Sequence, residues 1–143
     1  MTGVAEPISA FVLAGGKSSR MGRDKSLLTF CGRYLIEYAI EVLRHHTDDI
    51  RIIGDPDKYQ FLKLPVLADR IASNGPLSGI YTGLDVARTE FSLFIACDMP
   101  LMRPEFLGLL LDHAARADAV AFKSADGKWN HWPPSMPEAG SLP

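Results

Sequence analysis

Short apolar runs alternate along this chain with segments of helical period, and that alternation limits its folds most. Ile8–Leu13, Ile50–Ile53, Val66–Ala68, Phe91–Cys97 and Ala119–Phe122 read as strands. Their unbroken apolar character suits strands covered on both faces, as in a parallel sheet. Between them Leu35, Ile36, Ala39, Ile40 and Leu43 fall at helical spacing, which predicts a helix from about Tyr34 to Arg44. Two more helices are expected, from about Leu77 to Ala87 and from Pro104 to Ala115, where the proline suits a first helical turn. The pattern argues an α/β fold with a doubly wound, mostly parallel sheet. No internal repeat and no linker is visible.

The chain has 143 residues, enough for one domain with a core, and 47% of them are hydrophobic. The formal net charge is −2, which argues against broad binding to nucleic acid. No apolar run approaches the roughly 20 residues of a membrane helix, and no signal peptide is visible, so the cytoplasm is the expected compartment. Cys31 and Cys97 form no C-x-x-C pair, which argues against a disulfide framework or a zinc site. Cys97 reads as a small core residue. The histidines at 45, 46, 113 and 131 lack metal-ligand spacing; His45-His46 is expected at a helix end, where imidazole favours the dipole.

The first strand leads into L-A-G-G-K-S-S-R-M-G-R-D-K, from Leu13 to Lys25. Gly15 and Gly16 let the backbone approach a ligand and present N–H groups as an anion-binding nest. Lys17, Arg20, Arg23 and Lys25 add positive charge within the same stretch. Such a turn at the carboxyl end of a strand suits a polyphosphate. The alternative is a surface loop with a solvated basic run. A Walker A loop is excluded because Phe11 stands where its first glycine belongs. G-x-G-x-x-G fails too, since Gly15 and Gly16 are adjacent and the next glycine is Gly22. Asp69 and Asp98 also follow expected strands, and ligands of open α/β sheets bind beyond the carboxyl ends of strands. A carboxylate after the apolar run ending at Cys97 must be solvated, paired or metal-bound. A helix N-cap or turn aspartate is the plainer alternative at either position.

Three ordered motifs give the chain a resemblance. Leu13-Ala14-Gly15-Gly16 with Ser18, Arg20-Met21-Gly22 and Asp24-Lys25, then Asp69 with Gly75-Pro76-Leu77-Ser78-Gly79, then Cys97-Asp98-Met99-Pro100, resemble the molybdenum cofactor guanylyltransferases, the MobA-like nucleotidyltransferases. The resemblance runs from about Ile8 to about Val120. It implies a Rossmann-like fold of the nucleotide-diphospho-sugar transferase type. It implies a magnesium-dependent transfer of GMP from GTP to molybdopterin, giving molybdopterin guanine dinucleotide and pyrophosphate. Other molybdenum cofactor biosynthesis proteins and molybdoenzymes are its implied partners. Leu13, Ala14, Gly15, Gly16, Arg20, Lys25, Asp69 and Asp98 would bind the nucleotide. Lys25 and Asp98 would act in catalysis, and Asp98 would hold Mg2+. Relatives transferring cytidylyl or sugar-linked nucleotides often read L-A-A-G, so the second glycine favours guanine. Those transferases, and an inactive GTP-binding remnant, are the alternatives. Ile53-Gly54-Asp55 departs from members that carry Asn after the second strand.

After about Lys128 the sequence changes character. Trp129-Asn130-His131-Trp132-Pro133-Pro134-Ser135-Met136-Pro137 has no strand or helix period. The expected division is therefore a nucleotidyltransferase domain over 1–128, lacking its C-terminal part, and an irregular tail over 129–143. Shifting the frame by one base permits V-E-P-L-A-A-V-Y there, close to the segment with which the family continues. Sequencing the gene across the Lys128 codon tests an out-of-frame origin: an intact longer frame one base away supports it, and its absence sinks it.

Overall fold

The computed structural model describes residues 7–14, 27–69, 76–97, 99 and 102–121. Four strands, β1 (Ile8–Leu13), β4 (Ile50–Ile53), β5 (Val66–Leu67) and β6 (Phe91–Ala96), form one sheet in the order β5-β4-β1-β6. Every pairing in it is parallel. Between β1 and β4 lie a small antiparallel hairpin, β2 (Thr29–Phe30) and β3 (Arg33–Tyr34), and helix α1 (Leu35–Arg44). A one-turn helix, α2 (Pro56–Tyr59), and a 3-10 turn over Gln60–Leu62 follow β4. Helix α3 (Pro76–Val86) joins β5 to β6, and α4 (Pro104–Ala114) follows β6. The doubly wound, mostly parallel architecture expected from the alternation is the one observed.

Strand β1 sits in the middle of the sheet, and Ala10, Phe11 and Val12 are fully buried. Its residues alternate between two cores. Ile8, Ala10 and Val12 pack with Ile50, Ile52, Leu93 and Ile95 beneath Ile36, Ala39, Ile40 and Leu43 of α1 and Leu107 and Leu111 of α4. Phe11 faces the other way and stacks on Phe94, with ring centroids 5.0 Å apart. Helix α3 covers that side through glycine. A Cβ on Gly83 would lie 2.6 Å from Phe94 Cε1 and 3.1 Å from Phe11 Cγ. The helix therefore approaches the rings more closely than any side chain would allow.

Helix α1 begins where Glu37 Oε2 accepts a hydrogen bond from the Tyr34 N–H, 2.8 Å. At its end His46 Nε2 donates to the Pro104 carbonyl, 2.8 Å, tying the end of α1 to the start of α4. Thus His46 joins two helices, and among the described residues no group of three or more His, Cys, Asp or Glu side chains could hold a metal. The amino ends of the strands are pinned by a polar cluster. The buried Ser9 hydroxyl donates to Asp49 Oδ2 (2.8 Å) and accepts from Thr89 Oγ1 (2.8 Å), while Thr47 Oγ1 donates to the Ile8 carbonyl (2.7 Å).

One expectation fails. Residues 119–121 are in no strand, so the run Ala119–Phe122 does not extend the sheet over its described part. Apolar character makes a strand only where a neighbouring strand edge takes up its backbone groups, and 119–121 pair with none of the described strands. The expected tail, 129–143, lies outside the described residues.

Candidate functional site

The order of strands places the candidate site. From β1 the chain winds outward through β4 to β5, then returns to lay β6 on the opposite side of β1. The crevice between β1 and β6, beyond their carboxyl ends, is the topological switch point where open α/β sheets bind ligands. The carboxyl ends are level: Leu13 is in register with Ile53 and with Ala96, and Ile53 with Leu67. Leu13 and Ala14, which lead into the glycine segment, therefore leave the sheet beside Cys97, which leads into Asp98. The Cys97 N–H donates to the Leu13 carbonyl, 3.2 Å, joining the two exits directly.

Ala14 is held from three sides. Its N–H donates to the Ile53 carbonyl, 2.8 Å. Its carbonyl accepts from the Tyr59 hydroxyl, 3.2 Å. Gly54 lies against it, and a Cβ there would stand 3.4 Å from both the carbonyl carbon and the Cβ of Ala14, and 3.0 Å from the Tyr59 ring. Residues 54–59 thus form a bracket around the exit of β1. Asp55 caps α2, its Oδ1 accepting from the Asp57 N–H at 2.9 Å, so this carboxylate serves the local turn.

Asp69 is exposed at the same edge, two residues after β5. Ser78 Oγ donates to Oδ2 at 3.5 Å and Thr82 Oγ1 to Oδ1 at 3.4 Å. Both hydroxyls come from the buried side of α3, one helical turn apart. Thr82 Oγ1 also reaches the Ser78 carbonyl, at 3.0 Å, closer than it comes to Asp69. Gly79 completes the junction. A Cβ there would stand 2.8 Å from Leu13 Cδ2 and 3.8 Å from Asp69 Oδ1. Leu13 and Asp69 therefore converge on one glycine at the first turn of α3.

Of the eight residues expected at the site, Leu13, Ala14 and Asp69 are described, and the structure brings them to one edge. Gly15, Gly16, Arg20, Lys25 and Asp98 lie outside the described residues. Sequence reasoning passed over Tyr59 and Thr82, and named Gly54 and Ser78 only as parts of longer motifs. Ser78 stood inside a recognised motif, and its hydroxyl was the available signal. Tyr59 had none, because the four residues of α2 are too few to show a period.

The chain is similar to known proteins over most of its length. A probable molybdenum cofactor guanylyltransferase of Flavobacterium johnsoniae is 38% identical over 120 residues, 83% of this chain and 63% of that protein. Its counterpart in Carboxydothermus hydrogenoformans is 40% identical over 113 residues, 79% of this chain and 57% of that protein. The chain thus spans about three fifths of the length of these curated relatives. Among solved structures, molybdopterin-guanine dinucleotide biosynthesis protein A of Archaeoglobus fulgidus superposes with a TM-score of 0.57 at 25% identity, over 76% of this chain and 56% of that one. The family model of the MobA-like NTP transferase domain matches residues 10–139. With its parallel sheet, this match and these relatives, the chain belongs to the MobA-like NTP transferase family.

Proposed function

We propose that this chain binds GTP in the crevice between β1 and β6 and transfers its GMP moiety to molybdopterin. The observation that carries the reading is the direct link between the two exits, Cys97 N–H to Leu13 carbonyl. It puts the start of the glycine segment and the approach to Asp98 side by side at the switch point. The names borne by the relatives in Flavobacterium and Carboxydothermus support guanylyl transfer to the molybdenum cofactor, and that of the Archaeoglobus protein supports molybdopterin-guanine dinucleotide as the product.

In this reaction the terminal phosphate oxygen of molybdopterin attacks the α-phosphorus of GTP. A new P–O bond forms, the bond between the α-phosphorus and the bridging oxygen breaks, and pyrophosphate leaves with the electron pair. A phosphate nucleophile is already ionised near neutral pH, so no general base is needed. The protein's task is to position the two phosphates and to balance their charge. Gly15 and Gly16 offer N–H groups to the phosphates, and Lys25 and Arg20 offer cations. Asp69 accepts from a donor on the nucleoside. Magnesium suits a carboxylate beside phosphates and water, and the Cys97 N–H ties the residue before Asp98 to β1. Asp98 would hold it, and the ion when bound would neutralise charge on the phosphates. A cytoplasmic location belongs to the proposal, and among the described residues no helix is long and apolar enough to cross a membrane.

Calorimetry with GTP, CTP and ATP, each with and without magnesium, tests the reading on the chain and on Asp98→Ala. GTP binding that is selective, magnesium-dependent and weakened in the variant is expected. A preference for CTP, or no binding by a folded chain, would overturn it.

A further inference from the structure

Tyr59 is the largest fully buried side chain of the described residues, and its hydroxyl reaches the Ala14 carbonyl at the carboxyl edge. Its ring belongs to the core formed by Ala10, Val12, Ile52 and α1, so its position is fixed by packing. The bracket that carries it is fixed as well. Asp55 caps α2, Pro56 starts it, and Lys63 at φ +56° closes the following turn with its N–H on the Gln60 carbonyl. Gly54 gives the ring its room. A buried tyrosine needs a partner for its hydroxyl, and here the partner is the last described carbonyl before the glycine segment.

We infer that Tyr59 is a positioning residue for phosphate binding. By holding the Ala14 carbonyl it sets the plane of the peptide unit through which the chain enters Gly15-Gly16. A peptide unit is planar, so holding its carbonyl restrains the rotation of the unit as a whole. The Ala14 N–H is already engaged by Ile53, and with both its backbone groups committed, Ala14 has little freedom left to rotate. The inference deepens the proposed function and rests on its phosphate-binding reading.

The test compares the chain with Tyr59→Phe, and with 4-aminophenylalanine placed at position 59 to restore a donor on the same ring. The probes are GTP with magnesium, and inorganic tripolyphosphate. Loss of the hydroxyl should weaken binding of both about three- to tenfold, because the ligand must then supply ordering worth up to one hydrogen bond. The amine should restore most of it, a recovery that ring packing alone would not produce. In parallel, the carbonyl-carbon resonance of Ala14 should move in Tyr59→Phe and return with the amine. Equal binding by Tyr59→Phe, or an unmoved Ala14 resonance, would overturn the inference while leaving the GTP reading intact. Failure of the unsubstituted chain to bind either probe would bring down the phosphate-binding reading, and with it this one.

Discussion

At the scale of single residues, the site separates into two kinds of contact. Asp69, with Ser78 and Thr82 on its two oxygens, presents only acceptors to a ligand, so it suits N–H or O–H donors of a nucleoside and repels phosphate. Replacing Asp69 with Ala should therefore weaken GTP about tenfold while leaving tripolyphosphate binding unchanged or slightly stronger. Calorimetry with the two ligands separates these outcomes, and equal weakening of both would place Asp69 at the phosphates. Glycines differ in the same way. A methyl at Gly79 meets the end of the flexible Leu13 side chain, whereas one at Gly83 meets the stacked rings of Phe94 and Phe11. Gly83→Ala should cost about 1–3 kcal/mol by overpacking, reduced by the ~1 kcal/mol that alanine gains in a helix. Urea unfolding should show Gly79→Ala as the milder change of the two.

Among elements, the two edges of the sheet divide the labour. The amino edge carries the cluster of Ser9, Asp49, Thr89 and Thr47, and the carboxyl edge carries the candidate site. Ser9→Ala removes the hydroxyl that joins the half-buried Asp49 and Thr89 and should cost about 1 kcal/mol of stability with GTP affinity unaltered. Denaturant titration alongside calorimetry checks this, and a parallel loss of affinity would contradict the division. The long elements were legible in sequence because β1 and β6 are apolar runs, α1 buries a face large enough to impose a period, and Pro104 marks the start of α4. The strand ends were legible as well, since Asp69 and Ala14 follow apolar runs. The hairpin β2–β3 was not, because its residues are all exposed and its turn, Cys31-Gly32, lacks the usual asparagine. Nor was α2, although Asp55 and Pro56 are ordinary signals of a helix start. The bracket around Ala14 depends on contacts between Tyr59, Gly54 and β1 that are distant in sequence, and no local pattern encodes them.

For the whole molecule, a ligand that binds only the folded chain must stabilise all of it. At a hundredfold excess over its dissociation constant, GTP with magnesium should add about 2.7 kcal/mol. A melting curve should rise accordingly with GTP and stay in place with CTP; an equal rise with both would remove the guanine preference from the proposal. Parallel strands of this kind, joined through helices on both faces, keep all their site segments on one rim. That is why residues as far apart in sequence as Ala14, Asp69 and Cys97 meet without any single element being long.

The turn of the small hairpin has a practical consequence. Cys31 stands at φ +51° beside Gly32 at φ +81°, exposed at the tip, while Cys97 is partly buried against the core. A thiol-reactive dye would therefore attach first at the tip of β2–β3. The hairpin leads into α1, and Tyr34 at its end meets Phe61 of the turn that follows α2, so the label would sit beside the segment that brackets Ala14. The molecule thus comes with its own attachment point for a fluorophore, one from which ligand arrival can be watched in real time.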